Sequence, residues 1–356
     1  MLAFDRTAAR AAWTVFLIAL LIATAYAIRE TLVVFAAALF FAYMLMPIVA
    51  FVERHTPKAI GSTVALSVVY LTFLGLVIAL MMTIGARIAD EASSLAQRLP
   101  DLIQNRQWVQ QIPLPSWLEP VRDRIVAWIQ NQLSTGGKDL IPALKNIGGQ
   151  LVSGMRYALY AILIPILAFF FLKDGHELRE RLVHSLVPDK QLKVVEEILS
   201  DLNILLGQYI RALVLLSVST FVCYSVFLEA TGAPYAVLLA GCAALFDFIP
   251  VVGPLAAGVL VITVTGVTGY THLLWYIIFW IVFRLFQDYV LGPYLMGSGT
   301  ELNPMLVLFG VMAGEQVAGV AGMFFSVPVI AALRVIFVRL QRSRQKQMLS
   351  TVELQR

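Results

Sequence analysis

Eight ionisable side chains stand within a long, otherwise apolar stretch: Arg211, Glu229, Asp247, Arg284, Asp288, Glu301, Glu315 and Arg334. A charge held at bilayer depth costs at least ~2.5–3.5 kcal/mol, so it is expected to face a cavity or a partner. Arg284 and Asp288 are four residues apart and share one helix face. They read either as an intrahelical ion pair or as a cavity lining in which Asp288 binds a proton, a cation or a polar solute. Asp247 has no basic residue within a turn and stands just before Pro250 and Pro254. It is the better proton carrier of the two, whereas Arg284 favours a permanent charge on Asp288. Glu229 and Glu301 read as water-facing ends of spans, and Glu315 is intermediate.

The surroundings of these carboxylates repeat. Pro234–Gly241 and Pro304–Gly310 each open with Pro and run on as apolar residues. Each run then meets a carboxylate, Asp247 or Glu315. Each breaks at a Gly/Pro cluster, 249–254 or 319–322, and resumes as a second apolar segment. The first arm of each unit is too short to cross a bilayer at about 1.5 Å per residue. The units 234–268 and 304–338 are therefore expected to be hairpins or broken helices, either parallel or inverted. Exposed backbone survives at membrane depth only where protein buries it or it lines a water-filled cavity. Paired interrupted segments accordingly point to a transporter's substrate site. Equivalence of the units would bring the breaks near Pro250 and Gly319 together at the midplane, with Gly253 keeping the cavity open.

Composition sets the class. Of 356 residues, 60% are apolar and only 13% charged, against roughly 25% charged in soluble domains. Charge-free runs extend over Thr31–Val52, Ala59–Ala86 and Phe248–Phe283, and about 20 apolar residues suffice for one membrane helix. The fold class expected is all-α and polytopic, with about eight transmembrane helices, broken or re-entrant segments in the last third and a small extramembrane helical region. The two cysteines, Cys223 and Cys242, lie in apolar runs and suggest no disulfide framework. The four histidines are too scattered for a zinc motif, and no phosphate loop, HExxH or GxSxG is present. No cofactor and no enzymatic activity are expected, and the net charge of +4 reads as membrane orientation rather than nucleic-acid binding.

The segments 1–85, 86–150, 151–172, 173–203, 204–340 and 341–356 read in turn as three membrane helices, an amphipathic region, a fourth span, a helical hairpin broken at Pro188-Asp189, the terminal bundle and a basic tail. The apolar stretch 11–28 is too long for a typical signal-peptide core, so it reads as a retained span. In 86–150, Trp117, Val121, Ile125, Trp128 and Ile129 fall on one helical face. Lys and Arg concentrate at the N-terminus, in 53–58, in 173–203 and in the tail from Arg339. Counting spans places all four clusters on one side, and the positive-inside rule makes that side cytoplasmic.

The ordered motifs Phe169–Asp174 (FFFLKD), Phe248–Pro254 (FIPVVGP), Gln287–Gly297 (QDYVLGPYLMG) and Ser326-Val327-Pro328 resemble those of the AI-2E family transporters, from the first span to Arg334. Asn303 departs from the pattern, where His before Pro is frequent. The resemblance implies a bacterial plasma-membrane permease that forms pentamers. It also implies export of the autoinducer-2 signal or, in other members, sodium(lithium)/proton antiport. The residues expected along the pathway are Asp247, Pro250, Gly253, Pro254, Arg284, Gln287, Asp288, Asn303 and Glu315. The function expected is secondary export of a small polar solute, with a cation/proton antiporter as the nearest alternative and a non-transporting membrane scaffold behind it. The expected partners are that solute or ion, the bilayer and further copies of the chain.

The charge count yields a topology prediction. A membrane-impermeant thiol reagent applied to intact cells will label a cysteine at position 130 and miss one at position 191; the reverse pattern inverts the topology.

Overall fold

The computed structural model describes residues 6–55, 62–104, 155–296 and 303–353, with Arg124, Ala127 and Asn131 in addition. The remainder of the expected amphipathic region 86–150 beyond Gln104 lies outside the described residues, as does Glu301. The described secondary structure is helical throughout: α1 Arg6–Ala27, α2 Arg29–His55, α3 Ser62–Gln104, α4 Met155–Leu186, α5 Asp189–Ala230, α6 Ala236–Phe246, α7 Val252–Val267, α8 Leu273–Phe286, a π turn Gln287–Leu291, α9 Gly292–Met296 and α10 Pro304–Glu353. Six stretches have the length and apolar composition to cross a membrane: Arg29–Val52, Leu66–Arg98, Leu159–Ser185, Gln191–Ala230, Leu273–Leu295 and Met305–Arg342.

Helices run on where the change in composition suggested boundaries. α3 continues without a break from the charge-free run into the charged stretch as far as Gln104. α4 and α5 extend through the charged segment 173–203 and part only at Val187-Pro188. Pro188 has an extended backbone there, with φ −61° and ψ 144°.

The terminal bundle holds two hairpins. In the first, α6 and α7 are arms of 11 and 16 residues, about 16 and 24 Å long, against a hydrocarbon core of about 30 Å. The hairpin closes on itself, because the Tyr270 hydroxyl beyond α7 donates to Thr231 Oγ1, just before α6, at 2.5 Å. In the second hairpin, α10 leaves helical geometry at Ala318 (φ −141°, ψ 22°) and Gly319 (φ 59°, ψ −138°). A Cβ on Gly310 would meet Ile330, and Cβ atoms on Gly314 and Gly322 would each strike the other's backbone. These pairs step outward from 318 in antiparallel register. α10 is therefore two arms folded face to face, with contact close enough that only glycine fits.

The two hairpins enter from opposite sides. The open end of the first sits at the Ala230 end of α5, where Arg87 of α3 pairs with Glu229 at 2.7 Å. Glu91 caps the same end, accepting the Leu238 N–H at 2.9 Å. The second opens on the other side, where Arg339 of its long arm pairs with Asp201 (2.6 Å) and Glu197 (2.9 Å) near the start of α5. Their tips are offset along the bundle, where equivalence of the two units led to the expectation that they would meet. Phe248 at the first tip packs on Phe324, five residues beyond Gly319, while Gly319 lines a different cavity, shared with Arg29 at the start of α2. The second hairpin overshoots the first because its helical arms are longer.

The glycine contacts yield a stability prediction. Gly314→Val will force the arms of α10 apart at a cost of about 1–3 kcal/mol, read as a lower Tm of the detergent-solubilised protein. Gly85→Val, where nothing lies within 4 Å of the added Cβ, serves as the control.

Candidate transport site

The first hairpin turns over five residues, and its backbone has to be satisfied inside the bundle. The Asp247 N–H bonds to Ala243 O, Phe248 to Leu245 O and Ile249 to Phe246 O. The shift to shorter spacing after Asp247 leaves the Ala244 carbonyl without a backbone donor, and Ser217 Oγ of α5 supplies one at 2.8 Å. Three residues along the same face of α5, the buried Thr220 hydroxyl donates to Asp247 Oδ2.

Beyond Pro250 the chain reverses through a γ-turn, in which Val252 N–H bonds to Pro250 O at 2.7 Å around Val251 at φ 65° and ψ −55°. This conformation is rare for any residue and a marked outlier for a β-branched one. Gly253 follows, and a Cβ there would collide with the Phe246 carbonyl. Gly253 therefore closes the turn by packing, rather than keeping a cavity open as its place in the sequence suggested.

Gln287 completes the cluster. It begins the π turn that joins α8 to α9 and is only 6% exposed. Pro293 lacks the N–H that an α ladder would direct to Tyr289, and the Gly292 N–H reaches back five residues to Gln287 O. The widened turn presents Gln287 Nε2 to Thr220 Oγ1 at 2.8 Å and to Asp247 Oδ2 at 3.2 Å. One helical turn before Asp288, Arg284 pairs with it at 2.7 Å. The pair is partly exposed, so its two sequence readings are compatible: an intrahelical ion pair that also lines a cavity.

That cavity, of about 620 Å³, runs along α5 from Asp201 to Leu216 and reaches the first hairpin tip. It brings together Asp247, Pro250, Pro254, Arg284, Gln287 and Asp288, with Arg334, Arg339 and Arg342 around its mouth. The Tyr209 hydroxyl, on a lining residue, has no hydrogen-bond partner among the described residues. Three residues expected on the pathway stand elsewhere. Asn303 caps α10, its Oδ1 accepting the Met305 N–H at 2.9 Å, with Pro304 at the first helical position. Glu315 is exposed near the second tip, and Gly253 is held in the turn. Ser217, Thr220 and Tyr209 were not singled out in the sequence; hydroxyls at i and i+3 within an apolar span were the available signal.

A multi-span helical membrane protein, with two opposed hairpins and a polar cluster at the end of a deep cavity, has the organisation of a transporter. The sequence pattern of the AI-2E family transporters matches residues 15–342, and the chain belongs to that family. It is similar to YueF of Bacillus subtilis, named a transport protein, with 26% identity over 342 residues covering 90% of each chain. YrrI of the same organism, also named for transport, is 24% identical over 86% of this chain and 85% of its own. MJ1177 of Methanocaldococcus jannaschii, with a similar name, is 22% identical over 92% of this chain and 96% of its own.

The strained turn makes a prediction opposite in sign to most core mutations. Val251 is 40% exposed, so truncation loses little burial. Val251→Gly will remove backbone strain of about 1–3 kcal/mol, offset in part by the greater freedom of glycine in the unfolded chain. The expected net is a gain of about 1 kcal/mol, measured as a higher Tm in detergent.

Proposed function

We propose that this chain is a secondary exporter of a small polar solute, of which autoinducer-2 is an example, loaded from the cavity that ends at Asp247. The observation that carries this reading is the cavity's size and the position of its polar groups. A volume of about 620 Å³ suits a small organic molecule, for which pockets run to about 300–1,000 Å³, and is far larger than a bare cation needs. Its deep end offers the Asp247 carboxylate, with Gln287 and the Arg284–Asp288 pair beside it. The antiporter alternative gains no such support: Thr220 and Gln287 engage one oxygen of Asp247, and among the described residues no group of three or more His, Cys, Asp or Glu side chains assembles to hold a metal ion.

The side to which the cavity opens follows from charge. The mouth is edged by arginines, and the positive-inside rule places such a face in the cytoplasm. In the export reading, solute enters there and leaves on the opposite side. Apolar side chains on the outer helix faces, such as Leu71, Met82 and Val226, meet lipid or further copies of the chain.

Asp247 supplies the coupling. The Thr220 hydroxyl has one proton and two acceptors in reach, Asp247 Oδ2 and the Leu216 carbonyl at 3.1 Å. With Asp247 ionised, Thr220 donates to the carboxylate. With Asp247 protonated, the carboxyl donates to Thr220, whose own proton turns to Leu216. The cluster thus accommodates a proton without leaving a buried donor unpaired, and in either state Gln287 holds the carboxyl in place.

Full-length protein in proteoliposomes, assayed in parallel with autoinducer-2 and with Na⁺ under imposed proton gradients, tests the reading. Asp247→Asn will fold and insert but lose its pH dependence. Thr220→Val, which removes a hydrogen bond to a charged group worth about 1.5–3 kcal/mol, will lower the rate by about tenfold or more. Na⁺ flux without solute flux, or an unchanged pH profile in Asp247→Asn, overturns the proposal.

A further inference from the structure

A second cavity, also about 620 Å³, lies on the opposite side of the bundle from the arginine-edged mouth. It is bounded by the second hairpin tip at Ala318 and Gly319, by Arg29 and Glu30 at the start of α2, and by Tyr160 of α4. The broken backbone at the tip sits in this cavity, where water can satisfy it. Nothing in the sequence motifs or in the first cavity accounts for this space.

Two helices pass from one cavity to the other. On the long arm of α10, Ala321 lines the second cavity while Val327, Ala331 and Arg334 line the first. These residues share one helix face by their spacing, and Phe324 occupies the intervening position. On α2, Val33 and Ala37 line the second cavity. Phe40 follows one turn later, and Tyr43 and Met44 then pack against Tyr209 and its neighbours on the wall of the first. The third element is the first hairpin, where Phe248 stands next to Asp247. The three rings meet pairwise, Phe40–Phe324 at 5.2 Å, Phe248–Phe324 at 5.5 Å and Phe40–Phe248 at 6.1 Å between centroids. From Ala321 to Val327 the helix rises about 9 Å, which is the thickness of the barrier.

The geometry points to Phe40, Phe248 and Phe324 as an aromatic seal between two half-pathways, with the second cavity as the vestibule on the exit side; this rests on the transport reading. Each ring comes from a different moving part: α2, the first hairpin and the second hairpin. Two of the ring pairs meet edge-to-face and one is tilted, and each contact is worth only about 0.5–1.5 kcal/mol, so a small relative displacement of the hairpins parts them without breaking a hydrogen bond. Phe248 also joins the seal to the proton site, because any shift of the turn at Asp247 moves the adjacent ring. The solute that passes has to be small and uncharged, or charge-compensated, to cross about 9 Å of apolar wall.

Thiol accessibility tests the seal without a known substrate. In full-length chain carrying Cys223→Ala and Cys242→Ala, a membrane-impermeant thiol reagent is applied to cells and to inverted vesicles. Val327→Cys will label only from the arginine-edged face and Ala321→Cys only from the other. Adding Phe248→Ala and Phe324→Ala will make both positions reactive from both faces. It will also raise xylitol flux into proteoliposomes about tenfold over Phe324→Leu, which keeps the barrier filled. If the double alanine chain fails to assemble by gel filtration, Phe324→Ala alone is read the same way. Single-sided labelling in a correctly assembled alanine chain overturns the seal. Two-sided labelling in a chain that carries neither autoinducer-2 nor Na⁺ upholds the seal and counts against the proposed substrate. Failure of both cysteines to react in the parent overturns both proposals, since neither cavity would then hold water.

Discussion

Every peptide group at membrane depth needs a hydrogen-bond partner, since lipid provides none, and in this bundle one face of α5 meets that need. Ser217 and Thr220 are ordinary residues on a long apolar helix. They stand where α6 runs out of its own donors, and Ser217 takes the Ala244 carbonyl while Thr220 takes the Asp247 carboxyl. The re-entrant turn can therefore end beside Ser217 and Thr220, about a third of the way along α5 from its Ala230 end, rather than continue to the far surface. The deep end of the cavity and the Asp247–Thr220–Gln287 cluster follow from that termination. A hydroxyl that would bond back to its own helix elsewhere is here drawn into a neighbour's unfinished end.

The hairpins solve the same problem in different ways. The first stops short and is capped by side chains from α5 and from the π turn. The second runs farther and leaves its broken backbone beside a cavity lined in part by Arg29, Glu30 and Gln316. Its arms are held by glycine contact, with Gly314 and Gly322 stacked backbone to backbone. That is how membrane helices approach when lipid offers no hydrophobic drive for association. The first hairpin, in contrast, sits in the largest buried cluster of the molecule, which joins α3, α5, α6, α7 and α8 and includes Tyr224, Leu239, Val261 and Tyr276.

Much of this organisation was legible in the residues. Gly and Pro clusters at 249–254 and 319–322 mark the breaks because glycine and proline are the residues that such turns demand, and both clusters fall at or beside the reversals. The isolated carboxylate Asp247 stood out because an unpaired charge in an apolar run requires a reason. Gln287 rested on a motif alone, because a neutral amide carries no such cost. Three features were not legible. Thr220 and Ser217 look like tolerated hydroxyls until their neighbours are known. Phe40 and Phe324 are two among 21 phenylalanines, and only contact across three elements distinguishes them. The offset of the two tips depends on helix lengths, and spacing between Gly and Pro fixes those poorly. Asn303 went the other way. Its position beside family motifs suggested a pathway group, and its chemistry is that of a helix cap.

α3 has a mechanical consequence. Its 43 residues make a rod of about 65 Å, roughly twice the thickness of the hydrocarbon core. Its charge-free part ends at Ala86, so Arg87 and Glu91 stand just where the rod leaves the lipid, and the far end at Gln104 lies about 25 Å beyond Arg87. Glu91 grips the first turn of α6 through the Leu238 N–H. Ala92, Leu95 and Ala96 are buried against α6 and its neighbours, so the bundle holds the rod to within about 12 Å of Gln104. The rod thus ties its distal end to the hairpin that ends in Asp247.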